Sequence, residues 1–101
     1  MELENTKLMN DLLDLYGALL TDNQLEIMEY YFMDDLSLSE IGENLNITRS
    51  AVHDTIKKST NLLLHYEEKL QLLQKEQLKK NILEQADSLS KEELVEKLKN
   101  I

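Results

Sequence analysis

The sequence predicts an all-α fold: a small helical bundle built around a helix-turn-helix, with a helical extension at its C-terminal end. Three observations lead there. The 101 residues include no Pro and only two Gly beside much Leu, Glu and Lys, a composition of helix formers. Apolar residues recur at the i, i+4, i+7 spacing of a helix face, first over residues 6–20. Residues 37–58 then place capping, apolar and turn residues in the order that folds one short helix across another.

Taken in order, the first helix covers 6–20, with Leu8, Met9, Leu12, Leu13, Leu15, Tyr16, Leu19 and Leu20 on one broad face and Asp11 and Asp14 off it. It ends at Leu20 because Thr21 caps the next helix, with Gln24 in the reciprocal position. The second helix, 22–33, is expected to bury Leu25, Met28 and Phe32, with Ile27 and Tyr31 on an adjoining strip. Met9, Met28 and Met33 read as core filler, and of Tyr30 and Tyr31 one is expected inside and the other outside. Asp34 and Asp35 close this helix, since acids at a C-terminus oppose its dipole.

Ser37 and Glu40 form a capping box for the third helix, whose apolar edge is Ile41 and Leu45. Gly42 leaves room for a second helix to approach. Asn46 stands where the chain must reverse, and Asn tolerates the left-handed conformation well. Ile47 is expected to plug the corner, and Thr48 to cap the fourth helix, which buries Val52 and Ile56. No breaker follows Lys58, so that helix runs on through Leu63, Tyr66, Leu70 and Leu73 to about residue 75. Leu62, Leu63 and Leu64 circle it, implying neighbours on more than one side. Extending the seam from Leu70 and Leu73 reaches Gln77 and Lys80, so no long parallel coiled coil is expected. The chain should bend near 74–77, with a fifth helix from Gln77 to Ala86 and a short last one over 91–99; Ser88 and Ser90 both offer caps, and Glu93 completes a box with Ser90. The domain reading is 1–75 for the helix-turn-helix domain and 76–101 for an extension packing on it or on a partner subunit.

Charge argues in two directions. A net charge of −9 disfavours a polyanionic partner, because nonspecific nucleic-acid affinity comes mainly from neutralised phosphates. Yet residues 1–45 hold eleven acids against the single base Lys7, whereas residues 46–66 hold Arg49, Lys57 and Lys58 against Asp54. The locally positive stretch is the proposed recognition helix. Three bases make a thin patch, so binding should be weak and salt-sensitive unless a dimer doubles the contacts; the surplus of leucine after residue 62 leads us to expect a homodimer joined through the fourth and C-terminal helices.

With Val52 taken as the inward direction and about 100° per residue, Ile56, Ser59 and Leu63 stay on the inner side. Ser50, His53, Asp54, Lys57 and Asn61 fall opposite, flanked by Arg49 and Lys58. These side chains suit base edges and phosphates, and Thr48 with the first-turn amides could hold a phosphate at the helix N-terminus. DNA or RNA is therefore the expected partner. Asp54 is the least comfortable member, since it repels phosphate unless it accepts from a cytosine amine.

Other chemistry is excluded or weak. Without Cys there is no disulfide, thiolate metal site or thiol nucleophile, and a cytoplasmic location fits. The start, Met-Glu-Leu-Glu-Asn, lacks a signal-peptide pattern, and no apolar run approaches the roughly 20 residues of a membrane span. His53 and His65 have no ligand spacing, so no metal is expected. Asp34-Asp35, Glu67-Glu68 and Glu92-Glu93 read as solvated acids. With no nucleophile elbow and no glycine-rich phosphate loop, neither an enzyme nor a cofactor is expected.

Leu36-Ser37-Leu38-Ser39-Glu40-Ile41-Gly42, followed by Asn46-Ile47-Thr48-Arg49-Ser50-Ala51-Val52, resembles the Leu-Ser-x-x-Glu-Ile-Ala and Gly-Ile-Ser-x-x-x-Val of sigma factor region four. The whole chain, including Tyr30-Tyr31-Phe32-Met33-Asp34-Asp35-Leu36-Ser37, is more similar still to small YlxM-type proteins, encoded in Gram-positive bacteria beside signal-recognition-particle genes. That resemblance implies a sigma-region-four-like helix-turn-helix and a role in regulating, or taking part in, the signal-recognition-particle pathway. The recognition helix is less basic than in region four, and no polymerase-binding domains accompany it, so the chain is no complete sigma factor. Two functions follow: a nucleic-acid-binding regulatory protein, or an acidic adaptor that docks a basic partner such as the particle's GTPase without touching nucleic acid.

Overall fold

The computed structural model describes residues 3–101. Among them the chain is helical: α1 (Leu3–Tyr16), α2 (Asp22–Phe32), α3 (Leu38–Leu45), α4 (Arg49–Leu70), α5 (Leu72–Glu84) and α6 (Lys91–Lys99), with 3-10 turns at Gly17–Leu19 and Ala86–Ser88. No helix among the described residues is long and apolar enough to cross a membrane. The chain divides into two compact units, Met1–Lys69 and Leu70–Ile101.

The caps form as their spacing requires. Thr21 Oγ1 accepts the Gln24 amide at 3.1 Å while Gln24 Oε1 accepts the Thr21 amide at 3.0 Å. Ser37 and Glu40 exchange the same pair at 3.1 Å each; at α6 only half of the expected box forms, Ser90 Oγ accepting the Glu93 amide at 3.2 Å. Each satisfies amides that have no partner within their own helix.

In the first unit α2 packs on both α1 and α3. Ile27, Ile41 and Val52 form a fully buried cluster, with Tyr30, Tyr31, Leu36, Leu38, Leu45 and Ile56 half-buried around it. Ile27 is therefore central rather than on a side strip, and Leu25 is only half-buried, because a helix between two neighbours buries two flanks. Both Tyr30 and Tyr31 share this half-buried position, where one was expected inside and one outside. Met33, the C-cap of α2, is exposed.

Two helix ends differ from expectation. α1 stops at Tyr16, and the tighter 3-10 turn swings Leu19 outward, 56% exposed, while Leu20 stays buried. α4 stops at Leu70 rather than near 75, because Gln71 takes a left-handed backbone, φ 55° and ψ 33°, and α5 begins at Leu72 rather than Gln77. Tyr16 supports the far end of α4: its hydroxyl donates to Glu67 Oε1 at 2.7 Å, and its ring lies 6.1 Å from that of Tyr66. Glu67, grouped above with solvated acids, is thus part of an α1–α4 contact.

The second unit is built differently. No residue of 70–101 is buried, and Leu72, Leu78, Leu83 and Val95 are among its exposed apolar side chains.

A candidate nucleic-acid interface on α4

The turn between α3 and α4 sets this surface. Asn46 caps α3 with φ 58° and ψ 40°, and the amides of Asn46 and Ile47 both donate to the Gly42 carbonyl, the latter at 3.0 Å. These bonds satisfy the end of α3 and reverse the chain within two residues. Gly42 is required by contact: a Cβ there would lie 2.7 Å from the Ile47 carbonyl oxygen, a backbone atom that cannot swing away. Ile47 does not plug the corner. It remains 38% exposed, because the turn is closed by backbone hydrogen bonds and the missing Gly42 side chain.

Thr48 Oγ1 accepts the Ala51 amide at 3.0 Å, and its carbonyl accepts Val52 N–H at 3.1 Å, so α4 starts at Arg49. Ala51's amide is thereby used, leaving those of Arg49 and Ser50 as the outward donors of the first turn. Val52, Ser59 and Leu63 are fully buried and Ile56 half-buried, which anchors one side of the helix.

The other side is open. Thr48, Arg49, Ser50, His53, Asp54, Lys57, Lys58 and Asn61 are all exposed. From Arg49 to Asn61 the face is about 18 Å long at 1.5 Å per residue, roughly half a turn of duplex. His53 Nδ1 stands 3.8 Å from Asp54 Oδ1, too far for a hydrogen bond, and both side chains are well exposed. A shallow depression beside the helix start is lined by Ser39, Glu43, Asn46, Thr48 and Arg49. Sequence reasoning missed Ser39 and Glu43; their place four residues apart on α3, Ser39 one turn before Gly42 and Glu43 next to it, is the signal that could have found them. Glu43 opposes a phosphate there, whereas Ser39 can donate to one. Among the described residues no group of three or more acids, His or Cys could hold a metal.

A family model described as "Putative helix-turn-helix protein, YlxM / p13 like" (UPF0122) matches residues 3–101. This chain belongs to that family. A UPF0122 protein of Lactococcus lactis subsp. cremoris (strain MG1363) is 46% identical over 85 residues, 84% of this chain and 77% of its own. UPF0122 proteins of Bacillus cereus (strain AH187) and Bacillus anthracis (strain A0248) are 46% identical over 91 residues, 90% of this chain and 83% of theirs. The family description agrees with the Gly42–Asn46–Thr48 turn.

Away from α4, the exposed side of α2 is acidic. Asp22, Glu26, Glu29 and Asp34 border a groove with Leu25 and Tyr30. The Glu26 carboxylate first, then burial, then a hydrogen bond to Glu26 and the Asp34 charge hold the Tyr30 phenol above the ordinary tyrosine range.

Proposed function

We propose that this protein is a non-catalytic, cytoplasmic nucleic-acid-binding regulator that lays the first four turns of α4 against DNA or RNA. The reading rests on one observation: the polar side chains Arg49, Ser50, His53, Asp54, Lys57, Lys58 and Asn61 are all exposed on a helix whose opposite side is buried at Val52, Ser59 and Leu63. Arg49, Lys57 and Lys58 contact phosphates or guanine, Ser50 and Thr48 a phosphate, His53 and Asn61 base edges, and Asp54 a cytosine amine. Two copies acting together double a contact set that is thin in one. The resemblance to YlxM-type proteins brings in the signal-recognition-particle pathway as the setting.

Binding of mixed-sequence duplex DNA and structured RNA, followed by fluorescence anisotropy at low salt, tests it. Arg49→Ala and Lys57→Ala should each weaken binding about tenfold, the scale of one to two kcal/mol per contact. Unchanged affinity in both variants ends this reading.

The acidic side of α2 supports a second reading, an adaptor for a basic protein such as the particle's GTPase. Retention on heparin at neutral pH favours the first reading; binding to an anion exchanger alone favours the second.

A further inference from the structure

The whole net charge lies in one unit. Residues 1–69 hold fourteen acids against five bases, whereas residues 70–101 hold six of each. Two first units brought face to face repel; two second units do not. The second unit also has the greater need of a partner, since helical units below roughly 40 residues seldom persist without oligomerisation or cross-links, and none of its residues is buried.

One face of α5 has the pattern such a partner requires. From Leu72, at about 100° per residue, Leu83, Glu76 and Lys80 stand near 20°, 40° and 80°, within one stripe three turns long. Leu72 is 40% exposed and Leu83 57%, with Glu76 and Lys80 exposed between them. Glu76 and Lys80 are four apart in the favourable order, yet neither takes part in an ion pair among the described residues. The stripe is its own complement when reversed. An antiparallel copy centred at position 78 sets each Glu76 opposite Lys80 of its twin, and each Leu83 against the Leu72–Leu73 end.

We infer that α5 is a homodimerisation helix, pairing antiparallel with α5 of a second copy through two Glu76–Lys80 ion pairs flanked by leucines. The pairing is isologous, as a two-fold dimer demands. One three-turn helix face is smaller than a standard interface, so the dimer is reversible and concentration-dependent. This rests on the self-association part of the proposed function and not on nucleic-acid binding.

The test is sedimentation equilibrium of the full chain from low to high micromolar concentration, with helicity checked by circular dichroism. The native chain should pass from monomer to dimer. Glu76→Lys and Lys80→Glu should each weaken association by about tenfold or more, and the double exchange Glu76→Lys/Lys80→Glu should restore it to within about threefold. A monomer throughout overturns self-association itself. A dimer indifferent to the single reversals, or not restored by the double one, overturns the α5 pairing alone.

Discussion

Asn46 and Gln71 have nearly the same backbone, φ 58° against φ 55°, and each separates two helices. Around Asn46 every neighbouring choice agrees. Gly42 admits the returning chain and accepts two amides, Ser37 and Thr48 cap the helices on either side, and Ile41 and Val52 are buried across the turn. Gln71 has no side-chain capping hydrogen bond, and no residue from 70 to 101 is buried. The same dihedral pair thus occurs at Asn46 among capped and buried residues and at Gln71 among exposed ones without a side-chain cap; nothing in the identity of Gln71 explains it. The difference lies in what surrounds each turn: buried and capped residues at Asn46, exposed ones at Gln71.

The strongest way to break this contrast is Gly42→Ala. Its methyl group must displace the Ile47 carbonyl, so stability should fall by about 1–3 kcal/mol, read as a lower urea midpoint at unchanged slope. No loss would mean the turn is looser than its bonds indicate. Next come Asn46 and Gln71 themselves. Asn46→Ala should cost about 1 kcal/mol, whereas Gln71→Ala should cost almost nothing, because glutamine already bears the Cβ penalty there. Conversely Gln71→Gly should slow hydrogen exchange at the α4–α5 junction, while Asn46→Gly should change little. If both sites responded alike, the contrast would be wrong. The smallest effect belongs to Ser59, whose buried hydroxyl has no hydrogen-bond partner among the described residues. Ser59→Ala should leave thermal stability unchanged or raise it by up to about 1 kcal/mol.

What could be read in advance follows from the same contrast. Caps at Thr21, Ser37, Thr48 and Ser90, the turn at Asn46 and the outward face of α4 are short-range, so residue type and a 100° step suffice. Ile27 was misplaced because its burial comes from α2 lying between two helices, which periodicity in one helix cannot supply. Glu67 reads as a surface acid in the sequence because its partner, Tyr16, is fifty-one residues away. The break at Gln71 left no mark, since glutamine is an ordinary helix former. In the candidate site, side-chain exposure was legible, but Glu43 and Ser39 join it only through the turn that folds α3 beside Thr48 and Arg49.

The central claim is that α4, held out by the Asn46 turn, is the surface that meets nucleic acid. Titration of the isotope-labelled chain with mixed-sequence duplex DNA and structured RNA at low ionic strength, followed by amide chemical shifts, tests it residue by residue. The account predicts shifts concentrated at Thr48–Asn61 and at Ser39 and Glu43, fading as salt is raised. Shifts confined to α2, α5 or α6, or none with either probe, would contradict it.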